Sequence, residues 1–345
     1  MVDIRQKLYQ MFILGLEGEN LQDNPNLVNA LHNGLGGVIF FTQNIKTTEQ
    51  FKKLVEDIKK EAKIPVLLSI DQEGGRVERT ENLFYGKKFL SAKFSAQKGE
   101  DFLREQTEKI SRLLKDFGLN LNFAPVLDVN TNPNNPIIGE RAFSNDMDEV
   151  IRCGKIVVDT YLKNSIIPCT KHFPGHGDAG IDSHISLPKI NLPLEEMEKY
   201  HIRPFREVDS PMIMVAHLHC SAFDKEEIPS SMSKNVIDYL RKKIGYDGLI
   251  ITDDMVMGAI GGMEEWKNGG MADLKYHTSI PLSLYPSLKA INAGVNILLY
   301  RNSFDETVQI IENLAQLAES NEELFNNIGS SYKKIIGFKK ANLIK

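Results

Sequence analysis

The chain has 345 residues, long enough for two average domains or for one large α/β barrel. Hydrophobic residues make up 42% and charged residues 25%, the balance of an ordinary folded protein, which excludes a disordered, collagen-like or disulfide-scaffold chain. With 41 Lys and Arg against 46 Asp and Glu the formal net charge is −5, without the basic surplus that a nucleic-acid backbone demands, so nucleic acid is not an expected partner.

The cysteines Cys153, Cys169 and Cys220 are odd in number and show no C-x-x-C spacing, which points to neither a disulfide framework nor a thiolate zinc site and fits a reducing compartment. The apolar cluster at 11–16 is short, contains Gly15 and follows a helix-like pattern with Asp3, Arg5 and Lys7. It lacks the apolar core and small-residue cleavage site of a signal peptide. No run approaches the roughly 20 apolar residues of a membrane span. A soluble, cytoplasmic protein without a membrane span is expected.

Short apolar or β-branched runs recur at 36–41, 65–70, 119–129, 166–170, 212–216, 249–252 and 296–300. Amphipathic segments at 47–61, 101–117, 147–164 and 194–208 separate some of them and read as helices. Strands alternating with helices predict right-handed crossovers and a parallel sheet. No Pro-rich or Gly/Ser linker and no fixed-period repeat divides the chain, so one domain over 1–345 is expected, with 304–345 read as helix.

An open doubly wound sheet and a closed (β/α)8 TIM-type barrel both satisfy that alternation. Polar residues decide between them: Asp71, Asp128, Lys171-His172, His217 and Asp253-Asp254 follow or end five different apolar runs. An open sheet gathers its ligands at one switch point, whereas a barrel collects catalytic residues from the C-terminal ends of many strands. The barrel is the predicted fold. No G-x-G-x-x-G or P-loop pattern follows a strand, so no nucleotide cofactor is expected.

Three segments concentrate chemistry. Residues 171–184 read KHFPGHGDAGIDSH, where three glycines and a proline exclude a regular helix and predict a loop. Asp182 and His184 are two apart, which in extended backbone places both side chains on one side; a carboxylate on one imidazole nitrogen fixes the tautomer and favours a protonated general acid. An isolated D-x-H is more often a turn with a solvated histidine. At Asp253-Asp254, alternation sends the two carboxylates to opposite faces, so one enters the pocket, and helix cap or catalytic carboxylate are equally good readings of the pair. In 71–79, DQEGGRVER, paired glycines permit close backbone approach, and Asp71 and Arg79 are candidates to hydrogen-bond sugar hydroxyls or a substrate carbonyl, against the blander reading of a turn with a surface ion pair. Arg141 is a similar candidate that, taken alone, would be a solvated charge, and Asp128 reads as an anchor for loop backbone.

The run 171–184, K-H-F-P-G-H-G, four residues, then D-S-H, resembles the signature of family 3 glycoside hydrolases of the β-N-acetylhexosaminidase branch. In the same order stand DQEGGR at 71–76, APVLDV at 124–129, GERAF at 139–143 and TDDM at 252–255, so the resemblance spans about residues 5–300 and is nearest to single-domain bacterial enzymes of peptidoglycan recycling. It implies that Asp253 is the nucleophile, with Asp254 supporting, and that His184 is the acid/base assisted by Asp182. It further implies that Asp71, Arg79, Arg141, Lys171 and His172 bind the non-reducing sugar, that His217 lines the pocket, and that a covalent glycosyl-enzyme gives net retention. The implied activity is an exo-acting β-N-acetylglucosaminidase acting on cell-wall (muropeptide) fragments, without metal or cofactor. Glycines 175, 177 and 180 predict a loop that delivers His184 when substrate binds.

The segment 261–287, with Trp266 and the aromatic-rich run 276–285, departs from the pattern as a long insertion, read either as a rim of the barrel mouth or as a packed surface excursion. The rival readings are a family 3 phosphorylase or β-glucosidase variant, a non-enzymatic sugar-binding protein, and a metal-dependent barrel hydrolase using His172, His176, Asp178, Asp182, His184, His217 and His219 as ligands. Neither the aglycone nor the oligomeric state is legible.

Overall fold

The computed structural model describes residues 2–180, 187–261 and 282–343. Eight parallel strands close into a barrel: β1 (Phe12–Leu14), β2 (Gly37–Phe40), β3 (Leu67–Ile70), β4 (Leu121–Asn122), β5 (Ile167–Phe173), β7 (Met212–Val215), β9 (Leu249–Asp254) and β10 (Ile297–Tyr300). β10 closes the ring by pairing with β1, Phe12 opposite Leu298. Two short strands, β6 (Lys189–Ile190) and β8 (His219–Cys220), pair in parallel beside the barrel. The predicted (β/α)8 architecture is the observed one.

The apolar runs become strands because a barrel buries both faces of each strand, one against the interior and one against the helices. β1, β2, β3, β7 and β10 are buried at every position. The helices follow from helical spacing: in Thr48–Glu61 the buried residues are Phe51, Leu54, Val55 and Ile58, and Thr47 caps the first turn by accepting from the Gln50 N–H. Glu100–Asp116 and Met147–Lys163 are built likewise, the second capped by Asp146. The segment predicted at 194–208 is helical over Leu194–Glu207, with a wider π turn at Met197–Ile202.

Three details differ from expectation. The cluster at 11–16 supplies β1, a strand of three residues whose period cannot show in so short a run. The run 119–129 stays in the sheet only over Leu121–Asn122, and a single bridge between Val126 and Lys171 marks its return. β5 extends through Lys171 and His172, so these residues lie in the strand rather than in the loop after it. The C-terminal segment is helical, as Asp305–Ala318 and Glu322–Asn342, and its buried face joins the core that begins at Ile4.

Lys339, in the last helix, is buried at the N-terminal mouth of the barrel, where its Nζ donates to Gln10 Oε1 (2.8 Å) and to the Gly36 carbonyl (2.7 Å). Burial without a counter-ion pushes its pKa down to about 7. Between pH 7 and 10 the unfolded chain therefore holds a proton at this position that the folded protein has released, so the contribution of Lys339 to stability rises with pH across that window. Urea unfolding of the native sequence and of Lys339→Met at pH 7 and pH 10 is expected to show native stability improving with pH relative to the variant, since the Cys153, Cys169 and Cys220 thiols, whose pKa values burial raises and which act in the opposite sense, are common to both.

Candidate active site

A cavity of about 360 Å3 opens at the C-terminal ends of the strands, and Asp71, Glu73, Arg79, Arg141, Lys171, His172, His176, Asp253, Asp254 and Arg301 contribute its polar lining. Its floor is ionic. Lys171, 2% exposed, donates to Asp71 Oδ1 at 2.7 Å and lies 2.6 Å from Glu73 Oε1. Arg141 grips Glu73 with two parallel bonds, Nε to Oε2 at 2.8 Å and Nη2 to Oε1 at 2.9 Å. Burial opposes the charge on Glu73, but the two cations hold its pKa far below the usual carboxylate range. The end of β3 is fixed by Asn122, which accepts from the Gln72 N–H and donates to the Gln72 carbonyl, both at 2.9 Å, and so sets Asp71.

Asp128 organises the second wall. It is fully buried, accepts the His176 N–H at 2.6 Å, and meets His172 Nδ1 at 2.7 Å. Arg141 Nη2 stands 3.4 Å from His172 Nε2; a guanidinium only donates, so Nε2 accepts and Nδ1 carries the proton given to Asp128. The expected anchoring role of Asp128 is present, and the carboxylate orients His172 as well. Gly177 is placed where a Cβ would lie 1.7 Å from the Val129 carbonyl oxygen, so only glycine lets this loop pass. Asn135 donates to the carbonyls of His176 and Gly177, which ties the start of the 171–184 motif to the scaffold. Asp182 and His184 lie outside the described residues, as does 262–281, which holds Trp266 and most of the insertion.

Asp253, next to last in β9, is half-buried and lines the cavity. Burial would raise its pKa, yet His172, His217, the Asp254 N–H at 2.8 Å and Lys171 hold it below the ordinary value, so the carboxylate is ionised near neutral pH. Asp254 is pushed the other way, to about 6, chiefly by burial. Both aspartates line the cavity, against the expectation that alternation admits only one. The reason is a bulge: Ile251 faces Ile297, but Asp254, three residues on, faces Leu299, two residues on. β5 has the same irregularity between Thr170 and Phe173, which turns both Lys171 and His172 inward. Asp254 also accepts the N–H groups of Val256 and Arg301, as a strand-end cap does.

His217 is buried beside Asp253, with Nδ1 on Ser231 Oγ at 2.7 Å and Nε2 on the Asp254 carbonyl at 3.1 Å, so both ring nitrogens are spent on protein groups and the ring braces the end of β9. Among the described residues no group of three or more His, Cys, Asp or Glu is placed to hold a metal ion.

Sequence reasoning overlooked Glu73, His176 and Arg301 as pocket groups. Arg301 directly follows β10, so the strand-end rule that flagged the others applied to it too. Glu73 sits between Gln72 and a glycine pair, and its partners are 68 and about a hundred residues away.

The model of the glycosyl hydrolase family 3 N-terminal domain matches residues 3–337. The chain belongs to glycosyl hydrolase family 3. It is 31% identical over 335 residues to beta-hexosaminidase A of Pseudoalteromonas piscicida, covering 88% of this chain and 53% of that protein. It is 30% identical to the beta-hexosaminidase of Haemophilus influenzae, covering 88% of this chain and 82% of the relative. The glycoside hydrolase family 3 beta-N-acetylglucosaminidase structure from Paenibacillus sp. str. FPU-7 superposes with a TM-score of 0.86 at 29% identity, covering 99% of this chain and 63% of that one. The chain thus spans about half the length of the Pseudoalteromonas family member.

Removing Glu73 leaves two buried cations short of a partner. Glu73→Ala is expected to lower unfolding free energy by about 3–5 kcal/mol, the cost of breaking a buried ion pair, as read by denaturant titration.

Proposed function

We propose that this family 3 protein is an exo-acting, retaining β-N-acetylglucosaminidase that removes a terminal β-linked N-acetylglucosamine, with cytoplasmic cell-wall fragments as its substrates. The observation that carries the reading is the ionised Asp253 carboxylate in a cavity of single-sugar size, facing a cluster of oriented hydrogen-bonding groups. The hexosaminidase and β-N-acetylglucosaminidase names of the relatives supply the sugar. No described helix is long and apolar enough to cross a membrane.

In this mechanism Asp71, Arg79, Arg141, Lys171 and His172 hold the hydroxyl and N-acetyl groups of the sugar, and their bonds tighten as the ring flattens toward an oxocarbenium-like state. Asp253 attacks the anomeric carbon while the His184 imidazolium, oriented by Asp182, gives its proton to the leaving oxygen. Water then attacks the same carbon, His184 takes the water proton, and Asp253 departs, so two inversions leave the configuration retained. An ionised Asp253 is what the first step needs, and the Lys171, His172 and His217 surroundings favour it. The higher value of Asp254 suits a cap rather than a nucleophile.

The test is hydrolysis of 4-nitrophenyl N-acetyl-β-glucosaminide against the matching β-glucoside, without added metal and with phosphate varied. Selective cleavage is expected, with kcat reduced at least about 10³-fold in Asp253→Ala and about 10²–10⁴-fold in His184→Ala. Full activity in Asp253→Ala, or cleavage of neither glycoside, would overturn the assignment.

A further inference from the structure

The cations Lys171 and Arg141 at the floor of the cavity are held in ion pairs of 2.6–2.8 Å, whereas Arg301 at its mouth has, among the described residues, only a long one. Arg301 lines the cavity beside Asp253 and Asp254, and its side chain is 54% exposed. Its Nε is 3.9 Å from Asp254 Oδ2, beyond hydrogen-bonding distance, and among the described residues its guanidinium makes no hydrogen bond. The backbone beneath it is held from two sides. Its N–H donates to Asp254 Oδ1 at 3.1 Å, and β1 packs so closely that a Cβ on Gly15 would lie 2.0 Å from the Arg301 carbonyl oxygen. Arg301 is therefore presented by the scaffold at a fixed height on the rim.

Phe41, at the end of β2, carries that guanidinium 5.7 Å from its ring centroid and the Arg79 guanidinium at 5.3 Å. Arg79 too has only a long ion pair, 3.7 Å to Asp71 Oδ2, and its Nε has no hydrogen-bond partner. An aromatic ring engages the face of a guanidinium and leaves the N–H edges available. Arg79 faces the sugar, whereas the exposed edge of Arg301 on the same ring is open to a planar anion above the floor where the sugar would sit.

We propose that Arg301 is a specificity-determining residue that reads a carboxylate on the leaving half of the substrate, with Phe41 as its platform. This rests on the glycosidase reading and adds to it the chemical class of the aglycone. A carboxylate there meets the exposed N–H groups of Arg301, and a neutral aglycone leaves them to water.

A matched pair of substrates tests this: the N-acetyl-β-glucosaminides of 4-hydroxyphenylacetic acid and of its carboxamide, whose phenols leave with nearly equal ease. The native protein is expected to favour the acid in kcat/KM by about tenfold, the size of one charge-assisted hydrogen bond, and the preference should shrink as ionic strength rises. The acid-to-amide ratio should fall to about one in Arg301→Met, with Arg301→Lys between. A native ratio of one or below, or a ratio unchanged in Arg301→Met, overturns the inference and leaves the glycosidase reading standing. Cleavage of neither compound would overturn both.

Discussion

Lys171 carries a full charge at 2% exposure, and the site is arranged around the cost of keeping it there. An ammonium taken out of water is tolerated only with close counter-charges, and Asp71 and Glu73 provide them at 2.7 and 2.6 Å. Glu73 in turn needs Arg141, and Arg141 leans on His172, whose other nitrogen is held by Asp128. One buried charge thus couples the ends of β3 and β5 to the loops after β4. Such a network adds little to stability against apolar packing, but it makes each member depend on the others for its geometry.

Strand irregularity does the rest of the positioning. In a regular strand consecutive side chains face opposite ways, and Lys171-His172 or Asp253-Asp254 would be split between cavity and helices. The bulges in β5 and β9 remove that restriction, and each occurs where two chemically useful residues are adjacent. The neighbouring aspartates then acquire different characters. Asp253 lies within the field of His172, His217 and Lys171 and is held ionised, whereas Asp254 is dominated by desolvation and is raised to about 6. Separation of pKa values between adjacent carboxylates is how one strand end can supply both a charged group and a structural cap.

Much of the fold was legible because burial on both faces leaves a plain trace, a short apolar run between amphipathic segments. Seven of the eight strands are visible that way. β1 is not, since three residues carry no period, and the extent of β4 is not, since Leu119 to Val129 stays apolar after the chain has left the sheet at Asn122. The site was legible in part for a similar reason. A charged residue directly after an apolar run is costly unless it has a use, which marks Asp71, Asp128, Lys171, His172 and Asp253. The same logic marks His217, but residue type alone does not tell an imidazole that meets substrate from one whose nitrogens are held by a serine and a backbone carbonyl, the two partners His217 has.

The barrel is written in the alternation of apolar runs and amphipathic helices, and the family in the order and spacing of the motifs. Which charges neutralise one another and which stay available depends on how the folded chain brings them together. Glu73 meets Lys171 and Arg141, and Arg301 and Arg79 share the Phe41 ring, across separations of tens to hundreds of residues. The physical reason is that electrostatic interactions depend on distance and burial in space, neither of which is carried by residue type or local spacing.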